Sequence, residues 1–217
     1  MATPRVLVLR APGTNCDFET AHAFERAGAE TQRIHINRIL ENPGLTKDFQ
    51  VLCIPGGFSY GDDVAAGRIL ANQMRNHLAD VMQEFKTSDK LLLGICNGFQ
   101  VLIKSGILLE DNENGDPPAT LYWNDHGRYE DRWVHLKTTS EKCVFLRGMD
   151  QIYLPIAHAE GRFVMQDEQV AASLQSRGQL ALAYTTPTGE DATGFPDNPN
   201  GAELNVAGVC DTSGRVF

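Results

Sequence analysis

Apolar positions fall into two alternating patterns along the first half of the chain. Residues 5–9 read R-V-L-V-L, an apolar run without polar alternation. Such a run predicts a strand buried on both faces. Residues 17–27 switch to helical spacing and close on Gly28, a plausible C-terminal stop. The same alternation then repeats. Residues 31–36 read as a second strand, and residues 51–54 as a third that ends at Pro55-Gly56-Gly57. Residues 63–86 predict one long helix with Ile69, Met74, Leu78, Val81, Met82 and Phe85 on its apolar face. Residues 91–95 form a fourth strand, and residues 97–104 a helix ended by Gly106. Strand–helix alternation of this kind predicts an α/β fold, a mostly parallel central sheet flanked by helices. Ligands of such sheets bind beyond the carboxyl ends of the strands. Two loops lie there, residues 55–63 and the turn at Cys96.

The second half has a different texture. Residues 110–118 (E-D-N-E-N-G-D-P-P) are polar and rich in turn formers, so they predict a surface loop. Residues 132–137, 151–156 and 180–185 read as strands, and 167–176 as a helix. Residues 186–201 hold prolines and glycines throughout and predict a long irregular loop. Residues 206–210 and 215–217 read as the two arms of a hairpin around Asp211-Thr212-Ser213-Gly214. With no repeat and no linker, residues 1–217 are expected to form a single domain.

Composition adds exclusions. Hydrophobic residues at 42% and charged residues at 22% are ordinary for a soluble globular chain. A net charge of −9 repels phosphates and argues against nucleic acid as a partner. No apolar run approaches membrane-spanning length, and Met1-Ala2-Thr3-Pro4 leads into the first strand without a signal-peptide pattern. Five scattered cysteines, an odd number with no C-x-x-C pair, fit a reducing cytoplasm better than a disulfide framework or a metal site.

Gly94-Ile95-Cys96-Asn97-Gly98 is a G-x-C-x-G sequence between an apolar strand and a helix. This is the nucleophile-elbow arrangement with cysteine in place of serine. Flanking glycines leave room for the strand and helix that pack there. The helix start is expected to favour thiolate over thiol and to offer free N–H groups to an oxyanion. Taken alone, the motif equally fits a buried, inert cysteine in a tight turn. The glycine pair in Pro55-Gly56-Gly57-Phe58-Ser59-Tyr60-Gly61-Asp62-Asp63 lets backbone N–H groups face a ligand. It also fits a plain turn before a helix capped by Asp62 or Asp63. Cys16, Cys53, Cys143 and Cys210 lack the elbow context and read as packing residues.

Together the two loops resemble a narrower family. Gly56-Gly57-Phe58-Ser59-Tyr60-Gly61-Asp62-Asp63 and Leu93-Gly94-Ile95-Cys96-Asn97-Gly98-Phe99-Gln100 look like the oxyanion loop and nucleophile motif of the glutaminase subunits of phosphoribosylformylglycinamidine synthase, which are class I glutamine amidotransferases with a flavodoxin-like sheet. Pro155-Ile156-Ala157-His158-Ala159-Glu160-Gly161-Arg162-Phe163 resembles a third family segment, with Ala159 where glycine is usual. Asn198-Pro199-Asn200-Gly201 resembles a fourth, and residues 124–134, ending in Arg132-Trp133-Val134, a weaker fifth.

The resemblance implies that Cys96 attacks the side-chain amide of glutamine and passes through a γ-glutamyl thioester. It places the oxyanion at the N–H groups near Gly57 and Asn97, and gives Gly56, Gly57, Phe58 and Gln100 a part in binding glutamine. Ammonia would go to a separate ATP-dependent synthase subunit, with a small accessory subunit beside it, for purine biosynthesis. No G-x-x-x-x-G-K-[ST] loop occurs, so ATP and magnesium are expected on that partner and no cofactor or metal on this chain.

The sequence departs from the family at one point. The family's catalytic histidine and glutamate stand in a Pro-His-Pro-Glu segment after the last hairpin, and this sequence stops at Phe217. The expectation is a C-terminally truncated domain with weak or no turnover. The alternative is an inert glutamine-binding or scaffold subunit that docks the synthase. His158 and Glu160 copy the H-x-E spacing of the missing pair, but in the family that segment is separate from the triad. They are therefore expected, with Arg162, to line the site at most. His126 and His135 show no carboxylate context.

Overall fold

The computed structural model describes residues 3–112 and 115–217. Residues 1–2 of the expected leader-free start and residues 113–114 of the expected surface loop lie outside the described residues. The chain folds as two compact units. One comprises the residues up to Ile107 together with Val216; the other comprises Leu108–Arg215 together with Phe217.

The first unit is a four-stranded parallel sheet. Its strands are β1 (Arg5–Arg10), β2 (Glu30–His35), β3 (Val51–Ile54) and β4 (Leu91–Gly94), in the order β2-β1-β3-β4. The apolar runs produce this because β1 and β3 are covered on both faces. Val6, Val8, Val51 and Cys53 pack on one side with Ala21 and Phe24 of helix α1 (Asp17–Arg26). Leu7, Leu9, Leu52 and Ile54, the alternate set, are equally buried. β2 is an edge strand, and its T-Q-R-I-H pattern buries no residue fully.

The expected single helix over 63–86 is instead two helices, α3 (Arg68–His77) and α4 (Ala79–Thr87), after the short helix α2 (Ile36–Glu41) earlier in the chain. Leu78 breaks them with φ −127° and ψ 16°. Ahead of α3 the chain turns through left-handed conformations at Tyr60, Gly61, Asp62, Val64 and Gly67. A helix cannot start until these are passed. Gly67 is required there, since a Cβ would stand 2.9 Å from a Val101 methyl carbon. Leu70, Met74, Leu78, Val81, Met82 and Phe85 form the buried face, with Leu70 in the place expected for the half-buried Ile69. Helix α5 (Asn97–Lys104) follows β4 and buries Val101, Leu102 and Ile103.

The second unit is antiparallel. Strands β6 (Glu130–Thr138), β7 (Gln151–His158), β9 (Leu180–Thr185) and β10 (Val206–Val209) pair in the order β10-β9-β6-β7. β5 (Ala119–Tyr122) and β8 (Arg162–Met165) form a separate ribbon that the hydrophobic pattern does not signal. Helix α6 (Glu168–Ser176) is capped by the Asp167 carboxylate, which accepts from the Val170 N–H at 2.8 Å. The expected hairpin at the end of the sequence is not formed. β10 pairs with β9, whereas Val216 makes a parallel bridge to Leu92 of β4 in the first unit. No helix among the described residues is long and apolar enough to cross a membrane.

Candidate active site

Three loops leave the carboxyl ends of β1, β3 and β4 and meet. The Phe58 N–H donates to the Gly13 carbonyl at 3.1 Å and the Tyr60 N–H to the Pro12 carbonyl at 2.6 Å, while Thr14 bridges Gly57. Contact is so close that Gly13 and Gly57 admit no side chain. A Cβ on Gly13 would stand 2.0 Å from the Phe58 oxygen, and one on Gly57, at φ +132°, 2.8 Å from the Asn15 nitrogen.

Cys96 stands at the tip of the third loop with φ 55° and ψ −110°. A non-glycine residue in that region is strained, and the strain is held by the packing around it. Both flanking glycines are required by that packing. A Cβ on Gly94 would meet the Gly98 carbonyl and a Leu102 methyl, each at 2.6 Å, and one on Gly98 would stand 1.9 Å from the Ile54 oxygen. The elbow thus presents the cysteine outward, and its residue is exposed.

The backbone N–H groups of Asn97 and Gly57 lie close enough to the Cys96 sulfur to favour its charged form. These are the two donors expected for an oxyanion. The thiol pKa nevertheless lies above its ordinary value. Partial burial of the sulfur is the largest cause, and the nearby Cys16 and Asp62 add to it. The two N–H donors pull the other way and do not prevail. This corrects the expectation that the helix start holds Cys96 as thiolate.

Asn97 is buried and ties the loops together. Its side-chain oxygen accepts from the Ser59 N–H at 3.2 Å, and its side-chain nitrogen donates to Asp62 Oδ1 at 2.9 Å and to Gln100 Oε1 at 3.2 Å. Asp62 Oδ1 also accepts from the Gly67 N–H at 3.2 Å. Asp62 is therefore a site residue that sequence reasoning weighed only as a helix cap. Gln100 is buried within this network, whereas Phe58, next to Ser59 in sequence, is 56% exposed. Cys16, expected to be a packing residue, is exposed, and its thiol donates to Asn15 Oδ1 at 3.3 Å. Cys53, Cys143 and Cys210 are buried as expected.

His158, Glu160 and Arg162 belong to the second unit. Asn124 organises their segment. Its side chain donates to the carbonyls of Arg128 at 2.8 Å and His158 at 3.0 Å, and its oxygen lies 3.1 Å from His158 Nδ1. The imidazole packs so closely on Gly161 that a Cβ there would stand 2.3 Å from it. Burial pushes the His158 pKa below its ordinary value, so the ring is neutral at neutral pH; Glu130 and its own carbonyl oppose this, and His126 assists it. His126, expected without a carboxylate, lies 3.6 Å from Glu130. Asn200 completes the knot by donating to the Gly161 carbonyl at 2.9 Å, while the Asp125 N–H donates to the Asn200 carbonyl at 3.1 Å. Three sequence segments, 124–134, 155–163 and 198–201, are thereby joined.

Residues 3–217 match the family of CobB/CobQ-like glutamine amidotransferase domains. The chain belongs to this family. Within it, the chain is 45% identical to phosphoribosylformylglycinamidine synthase subunit PurQ of Methanococcus maripaludis over 99% of its own length and 79% of that protein's. It is 44% identical to the PurQ subunit of Dehalococcoides mccartyi over 100% of its length and 83% of that protein's. Among solved structures, PurLQS from Thermotoga maritima includes a chain that matches with a TM-score of 0.75 at 30% identity, covering 100% of this chain and 85% of that one. The glutamine amidotransferase family therefore supplies the context in which the Cys96 elbow and the loop at Gly56 and Gly57 are read.

Proposed function

We propose that this chain is the glutamine amidotransferase subunit of a phosphoribosylformylglycinamidine synthase and that Cys96 is its nucleophile. One observation carries the reading: a cysteine at a strained strand-to-helix turn whose sulfur faces two backbone N–H groups from different loops. The sulfur, once deprotonated, attacks the side-chain amide carbon of glutamine. As the carbonyl oxygen becomes an oxyanion, the Asn97 and Gly57 N–H groups are placed to stabilise it. Ammonia leaves, and water releases glutamate from the thioester. Gly56, Gly57 and Phe58 flank the substrate, while Gln100, through Asn97, keeps the elbow and the loop in register. Half-buried His158, hydrogen-bonded to Asn124, serves with Glu160 and Arg162 in the architecture of the second unit.

The relatives' naming as synthase subunits and the match to a chain of PurLQS support a synthase subunit as the partner that receives the ammonia for purine biosynthesis. On this reading ATP and magnesium belong to that partner, a small accessory subunit joins it, and the protein works in the cytoplasm, where its five free cysteines stay reduced.

Diazo-oxo-norleucine, an electrophilic glutamine analogue, tests the assignment. The expected result is one covalent adduct, mapped to Cys96, suppressed by glutamine and absent from Cys96→Ala. Absence of any adduct on the wild-type chain overturns it in favour of an inert scaffold.

A further inference from the structure

Cys16 has no part in the reaction outlined above, yet the fold delivers it to the same place as Cys96. It ends the loop that leaves β1 and stands at the start of helix α1. The point where a Cβ on Gly56 would lie is 3.6 Å from the Cys16 sulfur and 3.4 Å from Cys96 Cβ. Gly56 has only a hydrogen there. The two thiols are close enough that charge on Cys16 opposes charge on Cys96. Both residues are exposed, whereas Cys53, Cys143 and Cys210 are buried.

We infer that Cys16 is a resolving thiol for Cys96, so that a hydroperoxide converts the pair into a reversible Cys16–Cys96 disulfide. In the first step the Cys96 sulfur attacks one peroxide oxygen. An S–O bond forms, the O–O bond breaks, and the peroxide is reduced to water or an alcohol while Cys96 becomes a sulfenic acid. In the second step the Cys16 sulfur attacks the Cys96 sulfur. The S–S bond forms, the S–O bond breaks, and the hydroxyl leaves as water with the Cys16 proton. The two thiols lose two electrons in all, and the peroxide gains them. A dithiol reductant restores both thiols.

The surroundings set the order of the steps. Burial, Cys16 and Asp62 raise the Cys96 pKa, and the Asn97 and Gly57 N–H groups oppose that rise. Cys16 faces the carboxylates of Asp17 and Glu19, which together with burial keep it protonated. At the tip of the elbow, with N–H groups beside its sulfur, Cys96 is the site of first attack and Cys16 the trap. Without the trap, a sulfenic acid proceeds to sulfinic acid, which thiols do not reverse. That the disulfide silences glutamine chemistry rests on the function proposed above; the pairing of the two thiols does not.

The test exposes the reduced chain to hydrogen peroxide, blocks free thiols with N-ethylmaleimide, and maps tryptic peptides without reduction. The expected product links residues 11–26 to residues 91–104, with three of the five thiols still free and full recovery in dithiothreitol. Diazo-oxo-norleucine labelling of Cys96 is lost on oxidation and returns on reduction. In Cys16→Ser the same exposure yields Cys96 sulfinic acid that dithiothreitol does not recover. The inference is overturned if wild-type Cys96 reaches sulfinic acid as fast as in Cys16→Ser, if the link forms between Cys143 and Cys210, or if it forms only between chains. Should the linked peptide form while the reduced chain takes no diazo-oxo-norleucine, the thiol pair stands and the amidotransferase assignment falls.

Discussion

The elbow's dependence on Gly98 offers the sharpest test of the site geometry. In Gly98→Ala the new carbon would stand 1.9 Å from the Ile54 oxygen and 2.7 Å from its carbonyl carbon. Neither atom is free to swing aside, because that carbonyl also accepts the Ile95 N–H at 3.0 Å. Relief requires the start of α5 to withdraw by more than about 1 Å in a close-packed interior. Overpacking against backbone falls at the upper end of its usual range, about 3 kcal/mol. With a urea m-value of about 3 kcal/mol/M for a chain of this size, the midpoint falls by about 1 M. The same shift carries the Cys96 sulfur and the Asn97 N–H away from Gly57. Misplacement on the order of 1 Å costs about 10²-fold in rate. The assay is the rate of diazo-oxo-norleucine modification by intact mass, beside urea denaturation followed by circular dichroism. Gly44→Ala is the control. Its Cβ would approach the flexible Asn42 side chain at 3.1 Å, and a change within about 0.5 kcal/mol is expected. If Gly98→Ala kept both the wild-type midpoint and the wild-type labelling rate, the close approach of α5 to β3 would not be what holds the nucleophile.

Three further outcomes follow from the same packing and charges. Because burial, Cys16 and Asp62 raise the Cys96 pKa, its alkylation by iodoacetamide should climb about tenfold per pH unit through about pH 8.5, and a plateau below about pH 8 would contradict the assignment. Asp62→Asn removes one of those opposing charges while leaving an oxygen to accept from Asn97 and Gly67, so Cys96 alkylation at about pH 7.5 should quicken; an unchanged rate would remove Asp62 from the electrostatics of the sulfur. Asp17, 2% exposed, pairs with Arg10 at 2.8 Å and Arg33 at 3.0 Å, and Asp17→Asn should destabilise by about 3 kcal/mol in urea denaturation, whereas an unchanged midpoint would show that the pair contributes nothing net.

The parts of this fold that could be read in advance are those where one local pattern decides the outcome. β1 and β3 declare themselves because burial on both faces demands unbroken apolar runs. The elbow declares itself because Gly94 and Gly98 are fixed by contacts within one strand–turn–helix unit and the strand beside it. Elements set by distant pairing do not. β5 and β8 are only four residues each and pair across some forty residues of chain. The break before α3 is equally silent, since Val64 holds φ 72°, a conformation no β-branched residue advertises. Cys16 could have been found by topology alone. It lies in the loop after the first strand, at the same sheet edge as Gly56 and Cys96, where ligands of such sheets collect.

The failure of the thiolate expectation has a physical lesson in it. A helix start supplies partial positive charge, and from sequence that is the only term visible. The fold adds what sequence omits: a partly desolvated sulfur, a second thiol, and the Asp62 carboxylate that Asn97 needs as a partner to fix the loop at Ser59. Burial is the largest of these, and Asp62 adds to it, so holding the loop also works against ionising the nucleophile. On the proposed mechanism this conflict is productive. The N–H groups of Asn97 and Gly57 gain most when negative charge moves from sulfur to oxygen, so a resting thiolate would spend their stabilisation before substrate arrives. A neutral thiol keeps that stabilisation for the oxyanion. It also leaves deprotonation to a base that approaches the sulfur from beyond the groups now touching it, and a variant that ionised Cys96 early, such as Asp62→Asn, should alkylate faster without hydrolysing glutamine faster.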